Sequence, residues 1–199
     1  SSILGMSLIY DTLDNRMRPS RGRVASVNVD FAGLGGSVKY ARVRGNAAQY
    51  WPLGSGFIFS VQGEAGAIKS LENNNVPGTD DVRLTDRFYL GEPQMRGFDI
   101  RGIGPRVLRK YLADIDGDGQ VDDVPTNRDQ WTDDSIGGKY YYMGRAELEI
   151  PLGSGAREMG LRPSVFLDVG AVWHTVLEEL PPVIPLIEAL LPPDEKSPV

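Results

Sequence analysis

The sequence predicts an all-β fold: an antiparallel meander of about six long strands, part of a transmembrane β-barrel, with one long inserted loop. Three observations predict it. Apolar residues recur with a period of two along six separate stretches. Glycine and proline, 24 and 14 of the 199 residues, punctuate the gaps between those stretches. Two of the gaps are far longer than the others.

The strands follow in order. In the first, Leu4, Met6, Leu8 and Tyr10 share a face, opposite Gly5, Ser7 and Asp11. The second sets Ala25, Val27, Val29 and Phe31 against Ser26, Asn28 and Asp30. The third opposes Ala41, Val43, Gly45 and Ala47 to Arg42, Arg44 and Asn46. In the fourth, Phe57, Phe59, Val61, Gly63, Ala65 and Ala67 face away from Ser60, Gln62 and Glu64. The fifth separates Tyr140, Tyr142, Ala146, Leu148 and Ile150 from Lys139, Arg145, Glu147 and Glu149. The sixth separates Val165, Leu167, Val169, Ala171 and Trp173 from Ser164, Asp168 and Gly170.

An ordinary soluble sandwich alternates too and is the competing reading. Length and polarity favour the membrane. These strands run to about ten residues or more, the span a tilted strand needs to cross a bilayer, against about five or six in soluble sheets. One face carries Arg42, Arg44, Glu64, Arg145 and Glu147, charges that a dry core does not take without partners. Short turns are predicted near residues 14–21, 33–37, 52–56 and 151–161, and long segments at about 71–138 and from 174 onward. Short turns on one side and long loops on the other is how a membrane barrel divides its ends. Tyr10, Tyr50, Trp51, Tyr140 and Trp173 fall near strand ends, where an aromatic girdle sits.

Charge and composition narrow the function. Net charge is −6, and five aspartates lie within 114–123, so the remaining body is near neutral and a nucleic-acid partner is not expected. The absence of cysteine excludes disulfides and thiolate metal sites, and the lone His174 leaves no imidazole cluster. No nucleophile–base pair emerges, so an enzyme is not expected. There is no apolar run of eighteen residues and no visible signal peptide. The opening Ser1-Ser2-Ile3-Leu4 reads as mid-strand, which predicts a piece of a longer protein. Residues 1–175 are read as a partial barrel and 176–199 as a proline-rich loop or tail.

Two signals lie in the long segment. The first is Phe88-Tyr89-Leu90-Gly91-Glu92-Pro93-Gln94-Met95-Arg96-Gly97-Phe98, with Gly104-Pro105-Arg106 after it and Gly137-Gly138 before the strand that carries Glu147. The second is Asp114-Ile115-Asp116-Gly117-Asp118-Gly119-Gln120-Val121-Asp122-Asp123. Its acids at alternate positions and the glycine at the sixth follow an EF-hand-type calcium loop. The twelfth position is Pro125 in place of the bidentate glutamate, with Asp122, Asp123 or Asp129 as substitutes. A calcium site formed by Asp114, Asp116, Asp118, Gln120, Asp122 and Asp123 and a solvated acidic loop tip are both open readings. No cofactor other than Ca2+ is implied.

The first signal resembles the BamA-type outer-membrane assembly factors, the bacterial surface antigen family, whose barrel carries a Val/Ile-Arg-Gly-Phe/Tyr tip on a loop folded back into the lumen. The match is Met95-Arg96-Gly97-Phe98, with Gly91 and Gly104-Pro105 also in place. Ser164-Val165-Phe166-Leu167-Asp168-Val169-Gly170-Ala171-Val172-Trp173 is similar to the family's following strand, and Tyr50-Trp51-Pro52-Leu53 fits those before the loop, so the resemblance spans about residues 1–173. Glu92 stands where the family has a second glycine, and Met95 where it has Val or Ile.

The resemblance implies that wall acids hold the loop arginine. By position these are Glu147 and Asp168, both of which the alternation puts on the polar face. Gly97 then allows the tight turn at the tip and Phe98 wedges against the wall. It also implies an outer-membrane insertase that folds β-barrel proteins into the bacterial outer membrane, with unfolded outer-membrane proteins as clients, assembly lipoproteins as partners, and membrane lipid around it. A related protein-secretion pore and a soluble secreted calcium-binding β-protein are the alternatives.

Overall fold

A computed structural model describes residues 2–33, 35, 38–72, 80–111, 128, 131–152 and 161–174. Its centre is one antiparallel six-stranded sheet. The strands are β1 (Ile3–Asp11), β2 (Gly22–Ala32), β3 (Tyr40–Gly54), β4 (Phe57–Ser70), β7 (Tyr140–Glu149) and β8 (Ser164–Trp173). They lie side by side in that order, each hydrogen-bonded to the one before it in the chain or, for β4 and β7, across the long insertion. The predicted meander is there, in the predicted register of faces.

One face of this sheet is exposed and apolar. Leu8, Val27, Val43, Val61, Val165, Leu167 and Val169 all stand open to the surroundings, Leu167 at 65%. An apolar sheet face left uncovered fits lipid and not water. Trp51 stacks on Phe59 at one end of the outer face, and Tyr140 stacks on Trp173 at the other, which gives two aromatic belts. Tyr50 is not part of them. It faces inward, opposite Ser60, and accepts a hydrogen bond from Gln62 Nε2 at 3.4 Å.

The other face is wet and paired. Arg42 bonds Asp30 from the next strand, with Nη2 at 2.9 Å, and Tyr141 donates to Glu64. Charge on this face is tolerable where a side chain meets an opposite charge, as Arg42 meets Asp30, or a hydrogen-bond donor, as Glu64 meets Tyr141.

Three features depart from expectation. β3 runs through Pro52 to Gly54, so the third turn shrinks to Ser55-Gly56, both at positive φ, 52° and 86°. Positive φ at both central residues suits the twist of a two-residue hairpin. The ends are also less cleanly divided: strand alternation places the short β2–β3 connection on the same end as the long insertion. Within that insertion a small hairpin, β5 (Arg106–Arg109) with β6 (Thr132–Ser135), joins Arg106 to Ser135 and Arg109 to Thr132.

The buried core sits on the wet side, between the sheet and the insertion. Ile68, Leu90, Met95, Tyr141 and Val172 are its centre. Apolar residues of the loop thus meet an apolar part of the inner face. The loop is folded back onto the inner face of the sheet.

Candidate functional site

The insertion enters through a narrow neck. Phe88 and Gly138 exchange backbone hydrogen bonds of 2.9 and 3.0 Å. Arg87 donates to the carbonyls of Val82 and Ile136, both at 3.1 Å, and so ties the ingoing strand of the neck to the returning one. Behind it Asp80, 4% exposed at its side chain, lies 3.1 Å from Arg87 Nη2 and 3.0 Å from Lys139 Nζ. Val82 N–H donates to the same carboxylate.

Beyond the neck, Leu90 pairs with Ile103, and Met95 N–H donates to Gly91. Gly170 on β8 makes room for this turn: a Cβ there would stand 2.8 Å from Leu90 Cδ2 and from Met95 Sδ. Met95 is 2% exposed. The next residue, Arg96, then points along the inner face.

Arg96 meets two acids. Its Nη2 donates to Glu147 Oε2 and to Asp168 Oδ1, each at 3.2 Å, and its Nε donates to Asp168 Oδ2 at 3.2 Å. Its backbone N–H donates to Asp168 as well, at 3.3 Å. The bond to Asp168 pushes the Arg96 pKa above the ordinary guanidinium value, so this side chain stays cationic. The side chain of Asp168 is 5% exposed; charge-assisted bonds are strong in such shelter. The structure brings Arg96, Glu147 and Asp168 together.

One predicted residue behaves otherwise. Phe98 does not wedge against the wall; it is 47% exposed, and Met95 fills the wall cavity in its place. The reason lies in the turn itself, where Gly97 at φ 83° redirects the chain just before Phe98 and leaves its ring half exposed. The aspartate-rich stretch with Asp114, Asp116, Asp118, Gln120, Asp122 and Asp123, as well as Asp129, lies outside the described residues. Among the described residues no group of three or more potential ligands is placed to hold a metal.

Sequence reasoning missed two members of the site. Phe166, opposite Glu147 in the ladder, lies under Arg96, whose guanidinium carbon is 3.3 Å from the ring centroid. Arg145, opposite Asp168, bonds that carboxylate at 2.8 and 3.0 Å and the carbonyl of Gln94 at 2.7 Å. Parity along each strand was the available signal, because both residues share the wet face with Glu147 and Asp168.

A sheet greasy outside and charged inside, with a long loop clamped by an arginine to two wall acids, invites comparison with known proteins. A family model described as the Omp85 superfamily domain matches residues 1–181. The chain belongs to the Omp85 superfamily. Over 173 residues it is 30% identical to outer membrane protein assembly factor BamA of Neorickettsia risticii (strain Illinois), covering 86% of this chain and 19% of that protein. It is 27% identical over 175 residues to the sorting and assembly machinery component 50 homolog of Mus musculus, covering 85% and 31%. Among solved structures, the crystal structure of BamA from Haemophilus ducreyi lacking POTRA domains 1–3 shares the fold, with a TM-score of 0.66 at 24% identity, over 96% of this chain and 32% of that one. This Omp85 chain therefore spans between about a fifth and a third of the length of these relatives.

Proposed function

We propose that this Omp85 stretch is part of the barrel of an outer-membrane insertase, which folds β-barrel proteins and inserts them into a bacterial outer membrane. The observation that carries the reading is the loop held inside the sheet by Arg96 on Glu147 and Asp168, in a chain whose relatives include proteins named as assembly factors. The locked loop keeps the lumen structured while a client strand pairs at a barrel edge, where unpaired N–H and C=O groups form a template. No covalent step is involved. Clients are unfolded outer-membrane proteins, and assembly lipoproteins are expected as partners. The bacterial membrane is favoured by the BamA relatives, against the animal relatives of the sorting and assembly type.

The test uses the full-length protein in phospholipid vesicles, with an unfolded eight-stranded barrel protein added outside. Faster appearance of protease-resistant, membrane-inserted client than with empty vesicles supports the insertase. No acceleration, or passage of a soluble passenger into the vesicle interior, overturns it in favour of a secretion pore.

A further inference from the structure

Asp168 accepts five hydrogen bonds, three from Arg96 and two from Arg145. The shorter ones come from Arg145 Nε at 2.8 Å and Nη2 at 3.0 Å. The same Nη2 reaches the Gln94 carbonyl at 2.7 Å, two residues before Arg96. We propose that Arg145 is a second positioning residue for the loop, gripping its main chain at Gln94 while orienting Asp168 for Arg96. The inference rests on the reading above, in which the held loop supports assembly.

Three features support it. Arg145 and Asp168 are partners in the β7–β8 ladder, so their side chains are juxtaposed by the sheet itself, independently of the loop. The bond to Gln94 goes to a backbone carbonyl, so it does not depend on the chemistry of any loop side chain. The geometry also uses one edge of the planar fork twice over: Nε and Nη2 donate to Asp168, and Nη2 donates to the loop at the Gln94 carbonyl as well. An ammonium group cannot reproduce that division.

Charge gives the arrangement a further logic. Arg96 and Arg145 balance Glu147 and Asp168, two against two. Removing Arg145 leaves an excess acid on the wall, Asp168 held only by the longer bonds, and the Gln94 carbonyl without its donor. Removing the Arg96 side chain leaves the Gln94–Arg145–Asp168 anchor in place. Arg145 therefore acts on the segment before the tip, and Arg96 on the tip.

The experiment measures tryptic cleavage at Arg101, an exposed loop residue, in the full-length protein in vesicles. Cleavage requires the loop to open. Loss of a charge-assisted anchor should speed it about tenfold in Arg145→Ala, and by a similar factor when Arg96→Ala is already present. Arg145→Lys keeps the charge balance and loses the fork; it should be cleaved faster than wild type as well, and it carries the test if the alanine variant does not fold. Unchanged cleavage in Arg145→Ala, or wild-type protection in Arg145→Lys, overturns the proposal. Client folding is measured in the same vesicles. Faster cleavage with unimpaired client folding leaves the positioning role standing and removes its link to assembly.

Discussion

Arg96 lies over the ring of Phe166, its guanidinium carbon 3.3 Å from the centroid, while its nitrogens bond Glu147 and Asp168. The cation is thus held on its face as well as at its edge. A phenyl ring offers negative quadrupole to the planar face, where no hydrogen bond can form.

That arrangement makes Phe166 a stabilising member of the site. Phe166→Leu should keep the barrel and cost the held loop about 1 kcal/mol, the usual scale of a partly desolvated cation–π contact. Phe166→Tyr should be nearly neutral. Tryptic cleavage at Arg101 reads both; equal rates for leucine and wild type would show that the ring does nothing for Arg96.

Gly170 predicts a steric effect. A methyl group there meets Leu90 Cδ2 and Met95 Sδ at 2.8 Å and the Tyr142 carbonyl at 2.9 Å. The first two are flexible ends that can yield, the carbonyl is backbone that cannot. Gly170→Ala should therefore destabilise the loop's seat by about 1–3 kcal/mol, the cost of overpacking, and Gly170→Val by more. Thermal unfolding and loop cleavage should move together.

The neck predicts a pH dependence. Burial pushes the Asp80 carboxyl up, but the Val82 N–H, the bond from Lys139 and the Arg87 charge outweigh it and hold its pKa below the usual carboxylate range. A depressed folded-state pKa means stability that is present above the unfolded value and lost as pH falls through the folded one. The neck should stay closed through mildly acidic pH and loosen only in strong acid. Asp80→Asn leaves two cations without their anion and should open it at neutral pH, at a cost of about 3–5 kcal/mol. Hydrogen exchange at the Phe88 and Gly138 amides measures this.

Asp14 makes a smaller prediction at the opposite end. Its carboxylate accepts from the Ser20 hydroxyl and from the N–H groups of Ser20 and Arg21, and these bonds hold its pKa well below the ordinary range. Ser20→Ala should bring it back toward that range. A carbon-13 titration of the Asp14 carboxyl in the full-length protein would show no change if the hydroxyl bond were unimportant.

The parts that were legible from sequence are those with a period. All six long strands and their two faces follow from alternation, because a strand writes its environment into every second residue. Glu147 and Asp168 were on the right face for the same reason, although their link to Arg96 came from family resemblance. Phe166 escaped because an aromatic side chain looks out of place between Ser164 and Asp168 on a wet face. Asp80 sits in a loop, where no period exists to place it. Neither half of the β5–β6 hairpin announces itself: Thr132-Asp133-Asp134-Ser135 holds no apolar residue, and its partner strand is held by Arg106–Asp133 and Arg109–Asp134 ion pairs in place of a core.

The neighbours β4 and β7 end and begin at Ser70 and Tyr140, so the loop residues Val82, Leu90 and Met95 that pack on the inner face are spelled out between two adjacent staves of the wall. The stopper is stitched into the cask. It needs no separate binding event and cannot diffuse away, and its local concentration is fixed by the chain. The entropy of closing so long a connection grows only with the logarithm of its length, and the inner crossing at Phe88 and Gly138 shortens what remains to be closed. Zipping β7 onto β4 therefore delivers the stopper to the inner face without a separate encounter, and side chains such as Arg96 decide how firmly it stays there.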